Sequence, residues 1–177
     1  FDKRNSKLTS GQLDFCYDTA LSILGEPKDR NKITVIPARA GFGKSSFIYA
    51  FLYVFCEYVS IKCLELIKEQ GVIIVTDKLK ALRDLEERIF TEKGYYHEET
   101  KTRFTYLLES WNKESGICQN EEITEYKEGM CSPSCDYYKD CKMSKQQYDQ
   151  RFSPILLMTN ARLSQHSDII KNYSEWI

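Results

Sequence analysis

A β-branched run, Lys32-Ile33-Thr34-Val35-Ile36, leads through Pro37 into Ala38-Arg39-Ala40-Gly41-Phe42-Gly43-Lys44-Ser45. Residues 44–70 then carry apolar side chains almost all round, with no glycine or proline. A strand, a glycine-bearing turn and a long buried helix are expected from that order. The pattern then repeats. Gly71 closes the helix, Val72-Ile73-Ile74-Val75 reads as a fully apolar strand, and residues 77–90 put Leu79, Leu82, Leu85 and Ile89 on one helical face. Upstream, Leu13, Phe15, Cys16, Ala20, Leu21 and Leu24 follow Thr9-Ser10-Gly11-Gln12 at helical spacing, closed by Gly25 and Pro27. Successive strands joined by helices run parallel, because a parallel connection needs a long crossover. The expected fold class is therefore α/β, a parallel sheet with helices on both faces.

From residue 91 to 150 the grammar changes: charged and aromatic residues dominate and no apolar strand is evident. Residues 95–114 read as a helix and 116–142 as a loop-rich module around cysteines. Pro154-Ile155-Leu156-Leu157-Met158-Thr159 restores the strand signature, with a helical tail from Ala161. The expected organisation is one α/β domain, residues 1–92 and 151–177, interrupted by a cysteine-rich helical and loop module over 93–150. So small a module has too little core to fold without a metal.

The composition narrows the classes of function. The 177 residues carry 25 Lys+Arg against 26 Asp+Glu, a formal charge of -1, so any polyanion must be held by a local patch. No stretch approaches the ~18 apolar residues of a membrane span, and Phe1-Asp2-Lys3-Arg4-Asn5-Ser6-Lys7 lacks the apolar core of a secretory signal. No membrane partner is expected. Beginning on Phe1, the chain reads as a piece of a longer one. Seven cysteines, an odd number with no export signal, point to a reducing, cytoplasmic compartment, with nucleoid or nucleus as alternatives. Cys16, Cys56 and Cys63 lie singly in apolar stretches and read as small core residues.

Residues 38–45 fit the P-loop pattern with Ala38 in place of its first glycine. Here Ala40, Gly41, Phe42 and Gly43 form a turn whose glycines let successive N–H groups face phosphate oxygens, and the following helix adds its positive end. Lys44 would neutralise the β- and γ-phosphates; Ser45 is the expected Mg²⁺ ligand, with Ser46 beside it at the helix start. An accidental glycine-rich turn is the alternative, and the flanking strand and helix argue against it. Hydrolysis also needs an acid at the end of an apolar strand. Only Asp77 stands in such a place, and capping of the next helix is the reading favoured for it. The strand at 155–159 ends in Thr159-Asn160 without a carboxylate. Part of the catalytic machinery is expected outside these residues.

The other motif is Cys118-x12-Cys131-x3-Cys135-x5-Cys141. Four thiolates satisfy either a tetrahedral Zn²⁺ or the irons of a 4Fe-4S cluster. Paired C-x2-C knuckles are absent and the gaps are wide, which favours iron-sulfur over zinc. Either filling leaves about -2 at the site, which Lys127, Lys139, Lys142, Lys145 and Arg151 would offset while meeting a phosphate backbone. Tyr137 and Tyr138 are expected to pack over the metal, with base stacking as the alternative. His97 and His166 form no catalytic pair and read as surface residues.

Gln12 upstream of the P-loop, Val75-Thr76-Asp77 ending a strand, the cysteine run 131–141 and Thr159-Asn160-Ala161-Arg162-Leu163, taken in order, resemble the first half of motor domain 1 in iron-sulfur superfamily 2 DNA helicases of the XPD/DinG type. The resemblance implies a RecA-like P-loop NTPase fold. It implies an ATP-dependent enzyme that moves on single-stranded or forked DNA, with Gln12 on adenine, Gly41, Gly43, Lys44 and Ser45 on the phosphates and Mg²⁺, and Cys118, Cys131, Cys135 and Cys141 on a 4Fe-4S cluster. Ala38 and Asn160-Ala161 depart from the family pattern. The Asp-Glu-Ala-His box, the arginine fingers and the second motor half are not in these residues, so the chain alone is expected to be inactive. Two other readings compete: a P-loop protein whose zinc ribbon docks nucleic acid or protein, and a small P-loop kinase with Asp77 as its acid.

Overall fold

The computed structural model describes residues 9–24, 43–62, 71–111, 117–125 and 132–165. The strand expected at 32–36, turn residues 38–42, Cys63, Lys127, Cys131 and His166 lie outside them. By its contacts the chain divides into two compact units, Phe1–Phe55 and Cys56–Ile177.

In the first unit, α1 (Ser10–Leu24) begins where Thr9 and Gln12 cap each other. Gln12 Oε1 accepts from the Thr9 backbone N–H at 2.9 Å, and the Gln12 N–H donates to Thr9 Oγ1 at 3.3 Å. This is a capping box, which satisfies two N–H groups that the helix itself leaves without partners. Phe15 meets Phe47 edge-on at 6.0 Å, and Phe47, Phe51 and Phe55 then stack at one-turn intervals along α2 (Lys44–Lys62). The helix α2 starts at the expected residue, and it buries Leu52, Cys56 and Val59. It is not buried all round, however: Tyr53, Val54 and Tyr58 are exposed. Tyrosine tolerates that position because its hydroxyl reaches water from an apolar ring.

The second unit is built on a small sheet. Its strands are β1 (Val72–Thr76), β4 (Thr105–Leu108) and β5 (Ile155–Thr159), all parallel, in the order β1-β5-β4. Leu156 sits opposite both Ile73 and Tyr106. Ile155, Leu156, Leu157 and Met158 are all at most 1% exposed, so β5 is covered on both faces as the middle strand of a parallel sheet must be. After β1, α3 (Leu79–Lys93) packs on the sheet through Leu82 and Ile89, with Leu79 and Leu85 half-buried, and ends at Gly94. After β5, α5 (Asn160–Gln165) carries Arg162, whose side chain is fully buried. The result is α/β, a three-stranded parallel sheet flanked by helices and compatible with a Rossmann-like arrangement.

Of the helix expected over 95–114, the described residues 95–111 form none. In its place β2 (Tyr95–His97) pairs antiparallel with β3 (Thr102–Arg103), and β4 follows as a strand of the main sheet. Aromatic and β-branched residues fill this stretch, and the Phe90 ring holds it down, with Tyr95 edge-on at 5.1 Å and the Arg103 guanidinium 3.8 Å above it. His97 is half-buried rather than on the surface, and its Nδ1 is enclosed. Lys101 closes the hairpin turn at φ 54°, a left-handed conformation in which a side chain is strained. Lys101→Gly is therefore expected to raise the melting temperature and Lys101→Val to lower it. Equal melting temperatures for the two variants would contradict strain at this turn.

Candidate functional site

Three places carry the residues singled out by sequence. The first is the start of α2. Gly43 directly precedes it at φ 89°, and its carbonyl accepts the first helical bond, from Phe47 N–H at 2.8 Å. Positive φ there needs glycine even though the space beside it is open, so an alanine would be strained by backbone rather than by crowding. Lys44, Ser45 and Ser46 lie exposed in the first turn, which has no acidic residue to repel an anion. Gln12 is half-buried, and its amide oxygen is taken up by the cap of α1. The Thr-x-x-Gln spacing that signals such a cap was readable in the sequence.

The second place is the C-terminal edge of the sheet, where chains emerging from parallel strands leave a crevice. Asp77, Leu79, Arg83, Glu109, Ser110, Thr159, Asn160 and Ala161 line a cavity of about 330 Å³. Asp77 does not cap α3: the cap position is Lys78, with no side-chain bond, and the helix begins at Leu79. Instead Asn160 Nδ2 donates to the Asp77 carboxylate, joining the ends of β1 and β5. Their register explains the pairing, because Thr76 lies opposite Thr159 and the next residue of each strand leaves the sheet at one place. Glu109, at the end of β4, accepts from Arg83 Nη2 at 3.2 Å and from Lys142 Nζ at 3.0 Å. Burial alone would raise the Glu109 carboxyl, but the bonds and charges of Lys142 and Arg83 outweigh it and hold the group below the ordinary carboxylate range. Nothing in the local sequence around Arg83 and Glu109 shows that these residues, 26 apart, meet.

The third place is the cysteine run. Cys118, Cys135 and Cys141 line one cavity of about 10 Å³ with Asn120, Ile123, Tyr137, Tyr138 and Ser144, about the space of a single water. Turns over 132–141 bring the last two thiols round to the first: Cys135 N–H donates to Ser132 O at 3.0 Å and Cys141 N–H to Tyr137 O at 2.8 Å. Asn120 Nδ2 donates to Cys135 Sγ at 3.8 Å, and Cys141 Sγ donates to Ile117 O at 3.7 Å. Beneath the cavity Ile117, Cys141 and Met143 form a buried cluster with Trp111 against it. Tyr138 is half-buried, whereas Tyr137 is 45% exposed at the cavity wall.

Three soft donors around one small space suit a thiophilic ion by their chemistry. Among the described residues no three cysteine, histidine or acidic side chains are already arranged to hold a metal, and Cys131 is not one of them. Metal binding deprotonates thiols, so a bond such as Cys141 Sγ to Ile117 O must break before that sulfur becomes a ligand. Cys56, by contrast, is fully buried on α2, and burial pushes its thiol up to about 12 against the opposing charge of Lys93, which fits a core residue.

Among the described residues no helix is long and apolar enough to cross a membrane. Family models, curated proteins and solved structures yield no match to this chain.

Proposed function

We propose that this chain is the leading part of an ATP-dependent DNA helicase motor, in which residues 38–46 bind ATP·Mg²⁺ and Cys118, Cys131, Cys135 and Cys141 hold a metal centre. The observation that carries the reading is the meeting of Cys118, Cys135 and Cys141 at one cavity, in the stretch of chain between strands β4 and β5. A second observation supports the nucleotide half: Gly43 takes a left-handed conformation at the head of α2, with Lys44 and Ser45 exposed in the first turn. A lysine, a hydroxyl and the backbone N–H groups of a helix's first turn are the donors that phosphate binding would use.

In this reading the bound metal supplies a cross-link that lets a segment with little core stay folded. The chain's own residues do the rest. Lys44 holds phosphate charge, Ser45 presents an oxygen to Mg²⁺, and exposed Tyr137 with Lys139 and Lys145 offers a ring and cations to a DNA strand. The second motor half and the acid that orients water come from elsewhere on the same or another chain.

The cavity's size favours a second reading on one point. A space of about 10 Å³ is nearer the size of a single ion than of a four-iron cluster, as a zinc-bearing docking module would need. Metal analysis with absorbance near 400 nm separates the two. Brown protein with about four irons and sulfide supports the helicase reading; colourless protein with one zinc leaves the docking module, and protein that takes up neither refutes both. Cys135→Ser is expected to release the metal and to speed proteolysis within 117–141, while β1, β5 and β4 still melt together. If the sheet unfolds as well, the metal does not serve a separate module.

A further inference from the structure

One carboxylate reaches both the cysteine cavity's helix and the crevice. Lys142 is the first residue of α4 (Lys142–Asp149) and follows Cys141 directly. Its ammonium lies 3.0 Å from Glu109 Oε2, while Arg83 of α3 lies 3.2 Å from Glu109 Oε1. The Glu109 side chain is only 16% exposed, against 60% for Lys142 and 57% for Arg83. Its backbone N–H donates at 2.7 Å to Oε1 of Gln146, one turn further along α4 and 1% exposed. Glu109 is thus fixed from two sides, and its two oxygens are divided between two exposed cations. Arg83 and Glu109 also line the crevice, together with Asp77 and Asn160.

We propose that Glu109 is a positioning residue that links the turn carrying Cys141 to the crevice by dividing its carboxylate between Lys142 and Arg83. While Lys142 occupies one oxygen, Arg83 bonds Glu109 through Nη2 and stands in the wall of the crevice. When the turn at Cys141 rearranges and Lys142 withdraws, both oxygens become open to Arg83. A guanidinium is shaped for such bidentate pairing, so Arg83 is drawn onto Glu109 and its donors leave the crevice. The thiol centre and the crevice are then coupled, and by linkage an oxyanion held by Arg83 in the crevice would stabilise the ordered turn. The input from the thiols rests on their reading as a metal centre; the Lys142–Glu109–Arg83 relay does not.

The test follows the Arg83 Nε–Hε signal by nitrogen-15 NMR in the whole chain at low salt. Lys142→Met is expected to slow its exchange with water about two- to tenfold, the effect of one additional hydrogen bond. In a Glu109→Gln background the same substitution is expected to change nothing. An unmoved Arg83 signal in Lys142→Met, or an equal change with Gln at position 109, overturns the relay. Stripping bound metal from the wild-type chain with a chelator is expected to reproduce the Lys142→Met signal. Metal loss without that change overturns the link to the thiols, and a chain that never takes up metal sinks the metal reading while the Lys142 variants still decide the relay.

Discussion

Lys44→Ala is expected to lower ATP turnover of the complete motor by about 100-fold or more, comparable to removing a preorganised donor from a developing anion. The side chain lies exposed at the head of α2, outside the cores that hold either unit. The variant should therefore melt within a degree or so of the wild type, as surface substitutions do. Titration of this chain with a fluorescent ATP analogue, at low salt and in Mg²⁺, reads the binding part directly. A variant that binds the analogue as the parent does would remove the phosphate role from residues 38–46, whatever the thiols hold.

Leu156→Ala tests the sheet and is expected to cost about 2–5 kcal/mol in urea unfolding. Leu156 is 1% exposed and packs with Leu108 and Met158, with Ile73, Tyr106 and Leu163 against that cluster. All three strands and α5 contribute to this cluster, so a cavity there is felt by each, and close-packed surroundings collapse only partly into it. Val75→Ala, at a position 37% exposed on β1, is the control and should lie within about 0.5 kcal/mol of the wild type. Similar losses at the two positions would mean that β5 is not the middle strand.

Several elements were legible from residue order. Val72-Ile73-Ile74-Val75 and Ile155-Leu156-Leu157-Met158-Thr159 are runs too apolar and too β-branched or aliphatic for a loop, and both are strands. The 3.6 spacing of Leu82 and Ile89 marked α3, and the break from turn to apolar run marked the first residue of α2. The segment 95–108 was not legible. Its strands are two to four residues long, and Thr105-Tyr106-Leu107-Leu108 has no period of its own. It is a strand because β5 offers it backbone partners from Thr105 to Leu108, which is information held some fifty residues away.

The candidate sites divide in the same way. A glycine-bearing turn before a helix and a cysteine spacing are local signals, since one stretch of backbone carries the groups, and Gly43, Lys44 and Cys135 stand out by order alone. Asp77 shows the limit. A residue between a strand and a helix invites a capping role, yet its partner is Asn160, delivered by the in-register pairing of β1 with β5.

Residue order by itself determined which short segments can be strand or helix here and which chemical groups the chain carries, because hydrophobic period and turn chemistry act between near neighbours. The tertiary structure alone decided that β4 joins the sheet, that Arg83 and Lys142 share Glu109, and that three thiols face one space. Those contacts depend on which apolar faces bury each other, and their energy appears only after distant segments have been brought together.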